Sequence, residues 1–409
     1  MVRLVWRFTM TGMGLGKTFT GSEKMHDLGK RINLVVCQKS KVKDWVNHLN
    51  TYYDWTVCDL TNKNELELFL FFIEVPDNLD HPAVAVINYD LIFRRKELLD
   101  LKDFTLMLDE SSLIQNPTAK RTKFIMAMQP DNVILLSGTP TGGKYERLIT
   151  QMNLLEWKIT EQVFWNQYVD WEWKEVDGFW QKKILGYKNE ERLKRKMRKH
   201  GCDFLKTEDV FDLPKQIDQK IKVPVTKNYL KFKKNDYIEF DDVELIGDSI
   251  LTKMLYERQL CGQYNSDKLS AFKDLLESTN DRLIVFYNFT AELNALEHIL
   301  KESERSYSII NGQLKDLYTY ENNDDSVTLI QYQAGAMGLN LQKANKIIYF
   351  TPPLGSELFE QSKKRIHRIG QDKPCFYYYL ICSGSIEEKI YNTLAMRKDY
   401  TEALFEGGE

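Results

Sequence analysis

The chain has 409 residues, 43% of them hydrophobic and 28% charged, a length that exceeds one ordinary domain and a composition that excludes a disordered chain. Its formal net charge of −3 excludes a global basic field, so any nucleic-acid contact has to come from local patches. No apolar run approaches the roughly eighteen residues of a membrane helix, and the opening MVRLVWRFTM lacks a leader pattern, so no membrane association is expected.

Taken in chain order, short apolar, β-rich runs come first, at Arg31–Cys37, Ala83–Asn88, Phe104–Leu108 and Asn132–Leu136. Helix-length segments separate them, which is the pattern of a parallel α/β sheet. From about Gln162 to Tyr264 this rhythm stops. Asp170–Val176 and Phe179–Leu185, joined by Asp177-Gly178, read as a hairpin, because Asp-Gly suits a tight type I′ turn. Glu190–His200, Tyr229–Glu239 and Ser249–Gln263 read as helices. The rhythm returns with Arg282–Tyr287, Val327–Gln331, Lys346–Phe350 and Phe376–Ile381. The expected fold class is α/β: one parallel-sheet lobe over 1–160, a mostly helical insertion with a hairpin over 161–265, and a second lobe over 266–409. The six cysteines are scattered without a C-x-x-C pair, so neither a disulfide framework nor a zinc site is indicated, and a reducing, intracellular compartment follows.

The sharpest local signal is Gly14-Leu15-Gly16-Lys17-Thr18, after an apolar strand and before a helix. Backbone N–H groups of such a loop wrap a phosphate together with the helix N-terminus. Lys17 would neutralise the β- and γ-phosphates, and Thr18 would hold Mg²⁺ through its hydroxyl. The full pattern wants Gly at position 11, where this chain has Thr11. Downstream, the apolar strand Phe104–Leu108 ends in Asp109 and Glu110. A carboxylate there can hold Mg²⁺ through water, and its neighbour can orient and deprotonate the attacking water. Together the two motifs predict a nucleoside triphosphate site. Near the far end, Gln361, Lys364, Arg365 and Arg368 recur at helical spacing and so share a face. Planar, permanently charged guanidinium groups suit the equatorial oxygens of a phosphoryl transition state.

These residues resemble a known family. Met13–Thr18, Asp109-Glu110-Ser111-Ser112 with Gln115–Lys120, and Ser137-Gly138-Thr139-Pro140 are similar to successive motifs of the superfamily-two helicases, closest to their Swi/Snf-type branch. Gln333–Gln342 looks like that branch's fifth motif and Gln361–Gln371 its sixth; Phe204–Val210 with Asp212-Leu213-Pro214 is similar to the segment that joins the lobes. The resemblance implies two RecA-like lobes, with ATP and Mg²⁺ as cofactors. ATP would be bound by Met13, Gly14, Leu15, Gly16, Lys17, Thr18, Gly338, Arg365 and Arg368, and the metal by Thr18 and Asp109. Catalysis would rest on Lys17, Asp109, Glu110, Arg365 and Arg368, with the two arginines reaching across the cleft so that hydrolysis needs both lobes closed. Ser137, Thr139 and Gln361 would couple the nucleotide site to the track. The nucleic-acid contacts implied are Lys39, Ser40, Asn88, Tyr89 and Asn288. The basic stretch Arg192, Lys194, Arg195, Lys196 and Arg198 is a further candidate from its own charge, with Leu193 and Met197 as its apolar seam. Trp171, Trp173 and Trp180 suit the hairpin's own packing face and, alternatively, base stacking.

Relatives carry an adenine-reading element upstream of the P-loop, and only ten residues precede Thr11. The expectation is that this element is absent: either the chain starts late, or adenine recognition is weak, or another polypeptide completes the N-terminal side of the site. The expected activity is that of an ATP-dependent translocase on duplex or branched DNA, monomeric and cytoplasmic, in a compact viral or bacterial motor. A strand-separating DNA or RNA helicase is one alternative, and a nucleotide-dependent nucleic-acid-binding module with little turnover is another.

Overall fold

The computed structural model describes residues 7–11, 17–74, 80–138, 140–176, 179–205, 212–241, 243–335 and 339–405. The chain divides into two compact units. The first comprises Met1–Val210 with Arg397–Glu409, and the second Phe211–Met396.

The first unit lays down β1 (Arg7–Thr11), β2 (Ile32–Cys37), β3 (Thr56–Asp59), β4 (Ala83–Asn88), β5 (Phe104–Asp109) and β6 (Asn132–Leu136). The antiparallel hairpin β7 (Val169–Val176) and β8 (Phe179–Tyr187) follows, then β9 (Cys202–Leu205). Seven of these strands form one sheet in the order β3-β4-β2-β5-β6-β1-β9, and every pairing in it is parallel. β2 and β4 are buried at every residue, because helices cover both faces of such a sheet. Alternate residues serve opposite cores: Leu34 and Val36 enter one cluster, Val35 and Cys37 the other.

The second unit contains β10 (Gln216–Val223), a small antiparallel hairpin β11 (Tyr237–Phe240) and β12 (Val243–Ile246), then β13 (Leu283–Tyr287), β14 (Tyr307–Ile310), β15 (Val327–Gln331), β16 (Lys346–Tyr349) and β17 (Cys375–Cys382). Its parallel sheet runs β10-β17-β16-β13-β15-β14. Ile284 and Phe286 face one core, and Leu283, Val285 and Tyr287 the other. A fully buried ion pair, Lys268 Nζ with both oxygens of Glu387 at 2.6 and 2.7 Å, ties the helix Ser266–Glu277 to the helix that begins at Ile386. The Cys382 N–H also donates to Glu387, so the buried carboxylate is well satisfied.

The strands expected from apolar runs are present, with ends shifted by one residue at most. The middle segment, 161–265, is shared between the units: β9 pairs with β1 of the first sheet, and β10 with β17 of the second. The helix expected over Tyr229–Glu239 instead spans Lys227–Asn235. Asp236 adopts a left-handed φ of 57° there, which ends the helix and turns the chain into β11. The hairpin forms as expected, with its Asp177-Gly178 turn outside the described residues. All six cysteines are buried and none is in a disulfide. Among the described residues, no helix is long and apolar enough to cross a membrane.

Candidate nucleotide site and track contacts

The P-loop residues Met13, Gly14, Leu15 and Gly16 lie outside the described residues, as do Thr139 and Gly338. Lys17 opens the helix Lys17–Leu28. Gly21 lets that helix sit close on the sheet: a Cβ there would fall 2.7 Å from both Leu136 Cδ1 and Met107 Sδ. Close docking over β5 and β6 brings Lys17 Nζ to 3.1 Å from Glu110 Oε1.

The two acids are held differently. Asp109 ends β5, where Trp45 Nε1 donates to Oδ2 at 2.9 Å. Glu110 takes a left-handed φ of 56° just past the end of the strand. Beneath both, the buried Tyr89 hydroxyl donates to the Asp109 carbonyl at 2.9 Å. Burial, and then the charge of Glu110, raise the Asp109 carboxyl above its ordinary range, while Lys17 and the Trp45 hydrogen bond pull it back. Glu110 Oε2 is buried and has no hydrogen-bond partner among the described residues. Two adjacent carboxylates with one lysine between them leave an excess of negative charge and a spare acceptor. That donor set fits a hydrated divalent cation and a water to be oriented, so the residues present fit Mg²⁺.

The loop after the acids is anchored to the Ser-Gly-Thr-Pro turn. Gln115 Nε2 and Gln151 Nε2 each donate to the Pro140 carbonyl at 2.9 Å, and Ser111 Oγ donates to Gln151 Oε1 at 2.9 Å. Ser137 is fully buried at the end of β6. Trp45 and Gln151 are absent from the residues that the sequence singled out. Nothing in their local sequence marks them, because each acts on a motif far from it along the chain.

In the second unit the helix Ser356–Lys363 ends just before the arginines. The shared helical face expected for Gln361, Lys364, Arg365 and Arg368 is therefore corrected: Lys364 caps the helix, and Arg365 and Arg368 lie in the turns that follow. The reason is the set of outside partners for this segment. The Leu341 N–H donates to the Arg365 carbonyl at 3.2 Å, and the His367 ring nitrogen Nε2 lies 2.9 Å from the Pro214 carbonyl. Gln371 Nε2 donates to the carbonyls of Gln342 and Ala344 at 3.1 and 2.8 Å. Arg368 Nη1 donates to Asn340 Oδ1, which ties the sixth motif to the fifth. Burial holds the Arg368 guanidinium below its ordinary value. Arg365 and Gln361 are buried, the latter donating to Glu357 at 3.4 Å.

The track candidates separate by exposure. Lys39 and Ser40 are exposed on a short turn after β2. Asn88 and Tyr89 are corrected: at 6% and 2% exposure they offer little surface to a track, and the Tyr89 hydroxyl lies under the acids instead. The Asn288 amide donates to Thr351 Oγ1 at 2.8 Å and to the Pro352 carbonyl at 3.0 Å, so it joins the ends of β13 and β16. In the helix Glu190–Lys199, Leu193 and Met197 are buried as the apolar seam, and Arg192, Arg195 and Arg198 are exposed, with Lys196 half-buried. Lys194 is corrected: it is buried, and its ammonium is 2.8 Å from Glu191.

A P-loop lysine paired with an Asp-Glu step at the end of a parallel strand defines a nucleoside triphosphatase core, here with a second parallel-sheet unit that carries buried arginines. Residues 10–266 match the SNF2-related domain and residues 267–370 the helicase conserved C-terminal domain. The chain belongs to the SNF2-related family: its two sheets are the RecA-like lobes of a nucleic-acid-dependent ATPase core of the Swi/Snf branch. It is similar to the mouse SWI/SNF-related matrix-associated actin-dependent regulator of chromatin subfamily A member 1, at 24% identity over 92% of this chain and 39% of the mouse protein. The human counterpart is 23% identical over the same shares. A RAD54-like DNA repair and recombination protein of Drosophila grimshawi is 29% identical over 32% of this chain and 18% of its own length. The chain thus spans about 39% of the longest-matching relatives. The Sulfolobus solfataricus SWI2/SNF2 ATPase core in complex with dsDNA also matches, at 21% identity and a TM-score of 0.39, over 98% of this chain and 89% of that one.

Proposed function

We propose that this chain hydrolyses ATP when bound to duplex DNA and uses the cycle to translocate along it. The observation that carries the reading is the Lys17–Glu110 ion pair beside a buried, desolvated Asp109. Lys17 neutralises Glu110 across 3.1 Å. The β- and γ-phosphates of ATP compete for the lysine, and Glu110 is then released to orient the attacking water. Thr18 and Asp109 are the residues that would hold Mg²⁺, which supplies charge neutralisation on those phosphates. The family resemblance supports Arg365 and Arg368 as the groups that meet the transition state, a role that would couple turnover to closure of the lobes. A DNA track is supported by the names of its relatives, a regulator of chromatin and a DNA repair and recombination protein, and by the exposed basic side of the helix Glu190–Lys199.

The test is ATP turnover by the purified chain alone, with duplex DNA, with single-stranded DNA and with RNA. Duplex DNA should stimulate most. Glu110→Gln should keep ATP binding and lose turnover by about 10²–10⁴-fold, the contribution of a positioned general base. Equal turnover in all four conditions would refute the DNA-driven reading.

A further inference from the structure

The register of the hairpin β7–β8 sets Trp171 opposite Ile184, Trp173 opposite Lys182 and Glu175 opposite Trp180. Opposed residues share a face, so these six side chains project to one side. The root of that face is packed. The Trp171 ring meets Trp165 edge to face at 6.2 Å, and Lys182 Nζ lies 4.7 and 4.9 Å from their centroids. Farther out the packing stops. Trp173 is 55% exposed and touches only the edge of Trp171, while Trp180 is 66% exposed. The Trp180 indole makes no hydrogen bond or ring contact with another described residue. The fold therefore draws little from these two indoles, and each holds a large apolar surface in water.

The charges on the ribbon are largely spent on each other and on its flank, Glu172 with Lys183 at 3.0 Å and Asp170 with Lys188 at 3.1 Å. The hairpin thus has little pull on phosphates. Two residues beyond Lys188 begins the helix Glu190–Lys199, whose Leu193 and Met197 enter the same core that Trp171, Ile184 and Tyr187 pack against. That helix presents Arg192, Arg195 and Arg198. The first unit therefore carries flat, uncharged π-surfaces on a hairpin whose root shares its core with a strongly cationic helix. This is the pairing that binds single-stranded nucleic acid, with bases stacked on aromatics and phosphates on guanidinium groups.

We propose that Trp173 and Trp180 stack on unpaired nucleobases, so that the chain grips DNA where a duplex opens into single strands. The inference rests on the DNA-dependent reading above and names the DNA structure that reading leaves open. Binding of the full chain to three labelled DNAs tests it: a blunt duplex, a fork with two single-stranded arms, and a single strand, together with an abasic strand of the same length. Trp173→Ala with Trp180→Ala should weaken the fork and the single strand by roughly tenfold or more, the scale of a lost base–aromatic stack. Blunt-duplex affinity and duplex-stimulated turnover should be unchanged, and the paired Trp→Phe variant should recover most of the loss. Wild-type protein should bind the abasic strand no better than the Ala variant binds the intact one. Unchanged affinity for fork and single strand would overturn the proposal and leave the indoles to a protein partner. So would an equal loss on blunt duplex, or wild-type protein that binds the abasic strand as tightly as the intact one. Absence of duplex-stimulated turnover in the wild type, with tryptophan-dependent strand binding intact, would refute only the translocase reading.

Discussion

Asp109 and Glu110 are adjacent in sequence, and their surroundings assign them different work. Asp109 is clamped by the Trp45 indole and desolvated, which suits a metal-side carboxylate; Glu110 sits on a left-handed backbone, pairs with Lys17, and keeps one buried oxygen without a partner among the described residues. The pair also costs stability. Burial and the neighbouring charge raise the folded-state pKa of Asp109. A raised carboxyl favours the protonated form in the fold, so its stabilising share is complete below the ordinary carboxylate pKa and is lost as pH rises through the raised value. Turnover has the opposite sign, because holding the metal needs the ionised form. Asp109→Asn should therefore abolish turnover and at the same time raise the thermal midpoint of the first unit. The gain should be larger at pH 8 than at pH 5, by differential scanning calorimetry. A midpoint that falls, or a gain independent of pH, would show that the site stores no such strain.

Among elements, the helix Lys17–Leu28 is held by shape as much as by polarity. Gly21 faces Leu136 and Met107 with no room for a methyl group, and Ser22 Oγ lies 2.9 Å from His48 of the helix Val42–Tyr52, which also carries Trp45. Gly21→Ala overpacks this contact. It should destabilise the first unit by about 1–3 kcal/mol and weaken ATP binding, because Lys17 moves with the helix. Denaturant unfolding and nucleotide titration on one sample would check both effects, and an unchanged ATP affinity would separate helix position from the site. The parallel strands that the sequence did not reveal share a position. β3 and β9 lie at the two edges of the first sheet, and β10 and β14 at the edges of the second. Interior strands are covered on both faces and read as continuous apolar runs. An edge strand such as β10, QIDQKIKV, is half solvated and carries lysines that deter further pairing.

At the scale of the whole molecule, the residues of the proposed reaction are divided between two separately cored units: Lys17, Asp109 and Glu110 in one, Arg365 and Arg368 in the other. Binding of ATP and its hydrolysis should therefore come apart on mutation. Arg368→Ala should leave ATP affinity within about tenfold of wild type and reduce DNA-stimulated turnover by roughly 10³-fold, the scale of an arginine supplied to a phosphoryl transition state. A variant that loses binding and turnover in parallel would instead make Arg368 a structural partner of Asn340.

The chemistry was legible because it is written in short, contiguous motifs. A phosphate loop, an Asp-Glu step and a serine-glycine-threonine turn each act through neighbouring residues, so their order alone named the family and the alternating apolar runs named the fold. The separation of exposed from buried lysines and tryptophans was only partly visible, since Lys194 and Arg195 look alike on a helical wheel until one finds Glu191 and the core. What the tertiary structure alone decided are the contacts that join distant parts of the chain: Trp45 on Asp109, Gln151 on the Pro140 turn, Tyr89 beneath both acids, and the loop that carries Arg365. Burial and hydrogen-bond geometry assign those roles, and both are properties of the packed chain that no local run of residues encodes.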